Sequence, residues 1–230
     1  MLPISIGLSR CLLGDAVRYD GKGKYSETCS DLFNKTFSLY PICPEVEAGF
    51  SIPRPAIELV QHASGIKIIG RDDKQLDVTE QLNNYCDNKV LSLGFLSGYI
   101  FTPRSPSCGF ASTPIKSIDG ETVFHHSGVF AQALLNKYPT LPVIEEPNLS
   151  SLLAMLRFQL QVISYYVIHH SKAPQPSADL VEGNVTLDLI LQNEMSMENK
   201  MSEVNELFRK MNAKQLHEQL MKLKTQLNDK

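Results

Sequence analysis

Apolar residues in the first two thirds of the chain fall into short runs separated by polar loops. The runs at residues 4–9, 37–42 and 98–101 are apolar over nearly their whole length, which is typical of strands buried on both faces of a sheet. Residues 141–145 form a shorter run of the same kind, and residues 78–93 carry apolar side chains at helical spacing. The pattern therefore predicts core strands joined by at least one amphipathic helix.

Weaker patterns between these segments predict further short elements. Short helices are predicted over residues 26–35 and 129–138, and the runs at residues 56–60 and 66–69 predict a hairpin. His125 and His126 precede the second of these helices and are placed in the turn before it. The alternation of strands and helices predicts an α/β fold with a mostly parallel sheet flanked by helices.

The pattern changes after Pro147, where only helical periodicity remains. Residues 149–170 predict a long helix, and residues 172–178 contain two prolines and predict a linker. We therefore divide the chain into an α/β domain at residues 1–147 and a helical C-terminal extension at residues 148–230.

Leucines near the C-terminus recur in steps of four, three and four residues, at Leu216, Leu220, Leu223 and Leu227. This heptad-like seam favours a tail helix packed on its own domain, although the seam also fits association with a second copy, giving a homodimer through the C-terminal helices.

Composition and charge narrow the functional classes. The chain is 43% hydrophobic and 20% charged, with a formal net charge of −3, so we expect a folded protein without the positive field that binds nucleic acid. The first nine residues lack the basic leader and cleavage site of a secretion signal, and residues 149–170 contain Arg157 and two glutamines. We expect a cytoplasmic protein that does not span a membrane, with its five cysteines reduced.

Three cysteines, Cys11, Cys43 and Cys108, each follow a predicted core strand directly or within a short loop. The carboxyl ends of parallel strands share one edge of the sheet, where ligands usually bind. Three thiolates suit an iron-sulfur cluster or zinc, and a cluster with three protein ligands keeps one iron open. Spacing alone also fits three unrelated cysteines, because no C-x-x-C motif is present.

The remaining two cysteines have simpler interpretations. Cys86 lies on the apolar face of the predicted helix at residues 78–93, where a small buried side chain is expected. Cys29 is also expected to be a packing residue, with a fourth ligand or a resolving thiol as the alternatives. Dithiol redox catalysis has little support without a C-x-x-C pair.

The residues around the three cysteines form five short motifs in a fixed order: S-R-C-L-L-G at 9–14, V-R-Y-D-G at 17–21, C-P-E at 43–45, P-R-P at 53–55 and S-P-S-C-G at 105–109. Together they resemble the bacterial thiouracil desulfidase family over roughly residues 1–146. The combination is more specific than any single motif, and it does not extend to the C-terminal region.

This resemblance implies a 4Fe-4S cluster on Cys11, Cys43 and Cys108, with the open iron binding the sulfur of the substrate. It implies a desulfidase that releases sulfide from a thiolated nucleobase such as 2-thiouracil after water attacks the thiocarbonyl carbon. Glu45 is similar to the acid/base residue of the family, and Ser105 matches a serine that contacts substrate, with Ser107 as the fallback.

Two matters stay open at this point. Arg18, Asp20 and Arg54 lie in loops near the same edge and either orient the substrate, donate hydrogen bonds to cluster sulfurs or form ordinary salt bridges. The expected partner is a small thiolated heterocycle, and the competing hypothesis is a non-enzymatic, metal-stabilised regulatory or adaptor protein whose C-terminal helices bind other proteins.

Overall fold

The structure is a computed structural model that describes residues 2, 4–170, 190 and 195–228. The predicted linker at residues 172–178 and the side chain of Leu227 lie outside the described part of the chain.

The strands of the described residues are β1 (Ser5–Ser9), β2 (Ser38–Ile42), β3 (Ile57–His62), β4 (Gly65–Gly70), β5 (Leu96–Phe101), β6 (Thr113–Lys116), β7 (Thr122–His126) and β8 (Val143–Glu145). The α-helices are α1 (Asn34–Thr36), α2 (Pro44–Glu47), α3 (Thr79–Val90), α4 (Val129–Lys137), α5 (Leu152–His170), α6 (Met197–Lys210) and α7 (Ala213–Asn228). A π-helical segment, Thr28–Phe33, leads into α1, and single 3₁₀ segments cover Arg10–Leu13 and Glu146–Ser150.

The first sheet has the strand order β2-β1-β5-β8, and all of its neighbouring strands are parallel. Its two central strands are almost fully buried, which explains why their sequences are continuous apolar runs. The prediction of an α/β fold with a mostly parallel sheet is confirmed. The parallel pairing brings the carboxyl ends of β1, β2 and β5 to a single edge.

A second, mixed sheet with the order β4-β3-β6-β7 was not predicted beyond its hairpin. The hairpin of β3 and β4 is present, while β6 pairs parallel with β3 and antiparallel with β7. Strand β6 contains Pro114, and all five residues of β7 are exposed, so neither strand has an apolar alternation to recognise. The predicted turn at His125 and His126 was wrong, because both residues belong to β7.

The long helix α5 packs against the first sheet at β5. A Cβ atom on Gly98 would lie 2.6 Å from Cγ2 of Val162, so the absence of a side chain at position 98 allows the close approach of helix and strand. On the other side of the core, α3 packs beside α4 and buries Leu82, Cys86 and Val90. Helices thus cover the sheet as predicted.

The C-terminal helices share a core with the α/β unit. Leu216, Leu220 and Leu223 of α7 are buried in the same hydrophobic cluster as Ile6 and Leu8 of β1. Helices α6 and α7 both contact α5. This arrangement agrees with a tail helix packed on its own domain, whereas the domain boundary at residue 147 and the homodimer stay predictions.

No helix in the described part of the chain is long and apolar enough to cross a membrane.

The burial of the leucine seam predicts that substitutions at two neighbouring residues of α7 differ greatly in their effect on stability. Leu220 is 3% exposed and Met221 is 51% exposed. We expect Leu220→Ala to lower the free energy of unfolding by about 2–5 kcal/mol, because it leaves a cavity in the shared core. Met221→Ala should stay within about 0.5 kcal/mol of the parent, as exposed substitutions usually do. Urea unfolding followed by circular dichroism measures both, and equal effects would contradict the packing of α7 on the core.

Candidate functional site

A cavity of about 450 Å³ opens at the carboxyl edge of the first sheet. Its walls include all three of the predicted ligands, Cys11, Cys43 and Cys108, together with Glu45 and Ser105. This volume is within the range of ordinary small-molecule sites. The structure therefore brings the predicted site residues together around one space.

Each cysteine is held by a different local element. Cys11 lies in the 3₁₀ turn that follows β1, and its carbonyl accepts a hydrogen bond of 3.0 Å from the N–H of Gly14. The φ angle of Gly14 is +92°, a left-handed conformation that glycine adopts without steric cost. The turn therefore fixes the direction in which the chain leaves Cys11.

Cys43 sits between β2 and α2, where its N–H donates to Oε1 of Glu47 at 3.1 Å. Cys108 lies in a loop after β5, and its N–H donates to the hydroxyl oxygen of Ser105 at 3.0 Å. Short loops with satisfied backbone groups hold side chains at defined angles. All three sulfurs thus come from rigid chain segments.

Burial raises the pKa of all three thiols. The Cys43 thiolate raises the pKa of both Cys11 and Cys108 further by charge repulsion, and Cys11 acts on Cys108 in the same way. Hydrogen bonds from the side chains of Thr102 to Cys11 and of Ser9 to Cys108 oppose this effect. Three mutually repelling thiolates in a desolvated space need a bound cation to stay deprotonated together.

Among the residues that the structure describes, no group of three His, Cys, Asp or Glu side chains is placed to hold a single metal ion. The three thiols share the walls of the cavity rather than one coordination point.

Glu45 is held on both of its carboxylate oxygens. Nε of Arg54 donates to Oε2 at 2.8 Å, and Oγ of Ser107 donates to Oε1 at 2.7 Å. The side chains of Glu45 and Arg54 are only 11% and 6% exposed. A buried ion pair with both oxygens bonded has a fixed orientation, so the carboxylate presents the same face to the cavity.

Arg54 also ties the Glu45 helix to the loop after the first cysteine. Its Nη2 donates to the carbonyl of Val17 at 3.0 Å, and its backbone N–H donates to the carbonyl of Tyr19 at 2.9 Å. The thiol of Cys43 lies 3.8 Å from the same Val17 carbonyl. Of the roles left open for Arg54, the structure shows a salt bridge, and its partner is the predicted acid/base residue Glu45.

The two serines of the S-P-S-C-G motif at residues 105–109 have different surroundings. The hydroxyl oxygen of Ser105 accepts the N–H groups of Ser107 and Cys108, at 3.3 and 3.0 Å, and Ser105 lines the cavity. Ser107 is 1% exposed and bonds Glu45. Ser105 is therefore placed to meet a ligand, while Ser107 supports the carboxylate.

A comparison with models of protein families matches residues 6–146 to the 2-thiouracil desulfurase family. The match spans more than half of the chain. The chain belongs to the 2-thiouracil desulfurase family. The resemblance drawn from the five motifs is confirmed, and this desulfurase is an enzyme that cleaves a carbon–sulfur bond. The non-enzymatic hypothesis is therefore set aside.

The desulfurase is also similar to a solved structure described as a [4Fe-4S]-dependent thiouracil desulfidase, TudS, at 28% sequence identity. The similarity covers 64% of this chain and 93% of that one, with a TM-score of 0.49. A search of curated proteins gave no significant match.

Basic side chains surround the cavity of the desulfurase. Glu45 is the one carboxylate among the described lining residues, whereas six lining residues are cationic: Arg10, Arg18, Lys24, Arg54, Arg71 and Arg104. Several have acidic partners outside the cavity, for example Arg18, whose guanidinium lies 3.9 Å from Asp20. Most of this basic lining is therefore ion-paired, although Arg18 and Lys24 still lower the pKa of Cys11 and Arg54 lowers that of Cys43.

The other two cysteines do not line the cavity. Burial raises the pKa of Cys29 to about 11 and that of Cys86 to about 12, and both side chains are packed in the core. Cys86 has the predicted packing position on α3. Cys29 is likewise a core residue, in the π-helical segment.

The buried pair of Glu45 and Arg54 generates a stability prediction. We expect Arg54→Met to lower the free energy of unfolding by about 3–5 kcal/mol, because it leaves the Glu45 carboxylate buried without its counter-charge. Adding Glu45→Gln should restore much of this loss, because the unpaired charge is then gone. Urea unfolding of the metal-free protein measures both variants.

Arg71→Met is the matched control, since the pair of Arg71 and Asp72 is exposed and should contribute little. A loss for Arg54→Met as small as that of the control would contradict a stabilising role of the buried pair.

Proposed function

We propose that the desulfurase removes sulfur from a thiolated nucleobase such as 2-thiouracil, using a 4Fe-4S cluster held by Cys11, Cys43 and Cys108. The observation that supports this proposal most directly is the presence of three thiols, two buried and one half-buried, from three strand ends in one cavity, beside a carboxylate held by two hydrogen bonds. Water attack on the thiocarbonyl carbon forms a C=O bond and breaks the C=S bond. The two protons of the water leave with the sulfur as hydrogen sulfide.

The donor set fits such a cluster. Thiolates are the usual ligands of iron-sulfur clusters, and three cysteine thiols line this one cavity. When bound, a cluster with three cysteine ligands supplies one iron with an open coordination position, which is a Lewis acid with affinity for sulfur. All five cysteines are free thiols, the state that a reducing cytoplasm maintains, so we also place the reaction there.

Glu45 is the residue that we propose to move protons. A carboxylate has about four lone-pair positions, and Arg54 and Ser107 occupy two of them. The remaining positions are available to a water molecule in the cavity that Glu45 lines. Glu45 then accepts a proton as this water attacks and returns it to the departing sulfide.

Ser105 is the residue that we propose to orient the substrate. Its oxygen accepts two backbone N–H groups, so its own hydroxyl hydrogen is left to donate to a ligand. A nucleobase carries carbonyl and ring-nitrogen acceptors that suit such a donor. Ser105 thus fixes the position of the heterocycle beside Glu45.

Cluster loading tests the ligand assignment. Protein reconstituted without oxygen should be brown and contain about four irons and four sulfides per chain, the composition of a cubane cluster. We expect Cys43→Ala to lose most of this iron and sulfide, because a ligand is missing. Iron and sulfide assays with the visible absorption spectrum provide the measurement.

Cys86→Ala and Cys29→Ala are matched controls, because both cysteines are buried and neither lines the cavity. Both variants should load like the parent. Full loading of Cys43→Ala, or a colourless parent protein containing zinc, would refute the proposed cluster.

The role of Glu45 predicts a selective loss of activity. We expect Glu45→Gln to load a full cluster and to release sulfide from 2-thiouracil at least about 100-fold more slowly, because the amide cannot accept the proton. Sulfide and uracil are measured under anaerobic conditions at saturating substrate.

Glu47→Gln is the control, two residues further along α2, and it keeps an oxygen acceptor for the Cys43 N–H. It should retain activity. Equal rates for Glu45→Gln and the parent would exclude Glu45 as the proton carrier.

A further inference from the structure

Arg104 differs from the other basic residues that line the cavity. Those five residues each have a carboxylate partner, at distances between 2.6 and 3.9 Å. Arg104 has neither an ion pair nor a side-chain hydrogen bond within the part of the chain that the structure describes. An unpaired guanidinium in a ligand cavity can donate to a group that the ligand brings.

The backbone of Arg104 also has an unusual conformation. Its φ angle is +60°, in the left-handed region that residues other than glycine adopt only at an energetic cost. Outliers of this kind cluster at functional sites, where the surrounding structure holds them in place. The conformation therefore favours a role for the arginine side chain that glycine could not fill.

A set of hydrogen bonds holds Arg104 in this conformation. Its backbone N–H donates to Oγ of Ser112 at 2.8 Å, and the Ser112 hydroxyl donates to Oε1 of Glu145. The same carboxylate oxygen accepts the N–H of Phe110 at 2.7 Å. Glu145 is the last residue of β8, which pairs parallel with β5 and ends at the same edge of the first sheet. The backbone of Arg104 is thus bonded to the end of a sheet strand.

Arg104 lies beside the residue that is proposed to orient the substrate. It directly precedes Ser105, and both residues line the cavity. Exposure distinguishes the inner wall of the cavity from its outer wall, since Cys11 and Cys108 are buried while Arg104 is exposed. A ring whose sulfur reaches the buried thiols therefore has other ring atoms on the outer side, where Arg104 lies.

We propose that Arg104 is a specificity-determining residue whose guanidinium donates a hydrogen bond to the ring carbonyl oxygen of the substrate. This inference rests on the proposed function, since it needs a thiolated nucleobase in the cavity. A guanidinium group only donates hydrogen bonds, so its partner must be an acceptor. Of the groups that stay on the ring of 2-thiouracil during the reaction, the carbonyl oxygen is the strongest acceptor.

The test compares 2-thiouracil with pyrimidine-2-thione, which has the same thiocarbonyl group but no ring carbonyl. We expect Arg104→Met to lower kcat/KM for 2-thiouracil about 10- to 100-fold, mainly through KM, because a charge-assisted hydrogen bond to the bound substrate is lost. The value for pyrimidine-2-thione should stay near that of the parent, because this compound cannot make the bond. Anaerobic sulfide release by the reconstituted proteins measures both. If pyrimidine-2-thione is not turned over, its inhibition constant against 2-thiouracil replaces kcat/KM.

Arg209→Met is the matched control, because Arg209 is an exposed arginine of α6 that does not line the cavity. It should behave like the parent with both compounds. Equal losses of Arg104→Met with the two compounds, or no loss with either, would overturn the assignment.

Arg104→Gly separates a role in specificity from a structural role, and it also serves where Arg104→Met fails to load a cluster. It should melt close to the parent, because relief of the left-handed strain offsets the greater freedom of glycine in the unfolded chain. It should nevertheless lose the preference for 2-thiouracil as Arg104→Met does. A lower melting temperature with an unchanged preference would show a structural role and refute the inference.

Failure of this inference can be told apart from failure of the proposed function. If the parent binds no cluster or releases no sulfide from 2-thiouracil, the proposed function fails and takes the inference with it. If the parent is loaded and active, but both Arg104 variants keep its preference for 2-thiouracil, only the inference fails.

Discussion

The parallel pairing of β2, β1 and β5 is the constraint on which the site depends. Parallel strands all end at the same edge, so three cysteines that are distant in sequence reach one cavity. An antiparallel β1 would send Cys11 to the opposite edge of the sheet and divide the ligand set. The parallel arrangement also requires both faces of the sheet to be covered, which the helices do. The fold and the ligand geometry are therefore consequences of the same pairing.

Basic side chains and hydrogen-bond donors together balance the acidic groups at this edge of the sheet. The three thiols and Glu45 are acidic groups in a poorly solvated place, where unpaired charges are costly. Arg54 neutralises Glu45 directly, and the other basic side chains surround the cavity. Hydroxyl and backbone donors, such as Ser9 for Cys108, act at shorter range. The site can thus hold several anionic groups together without unfolding its own loops.

The parts of the molecule that local sequence patterns determine could be predicted from the sequence. Strands β1, β2 and β5 coincide with mainly apolar runs, and the motifs at their ends contain Cys11, Cys43, Cys108 and Glu45, which all line one cavity. The second sheet was largely missed, because β7 is exposed at every residue and β6 contains a proline. The pairing of Arg54 with Glu45 could not be predicted either, since it joins two loops through a tertiary contact.

The buried hydroxyl of Tyr99 could not be recognised for a different reason. Within β5 it continues an apolar run, and an aromatic residue there is the ordinary filling of a core. Only the packing shows that its hydroxyl is buried without a partner among the described residues. A hydrophobic pattern in the sequence does not show a polar atom on an otherwise apolar side chain. Such a buried polar atom is recognised only from the contacts in the structure.

The C-terminal helices act on the site from a distance. No residue of α5, α6 or α7 is among the described residues that line the cavity. Helix α5 instead packs on β5 at Gly98, the residue next to Tyr99, while β5 leads into the Cys108 loop. Because β5 is central in its sheet, the helix packs on the strand that leads into the Cys108 loop. Helix α5 therefore supports the strand positions at which the three thiols meet, while none of the described residues of α5, α6 or α7 reaches the cavity.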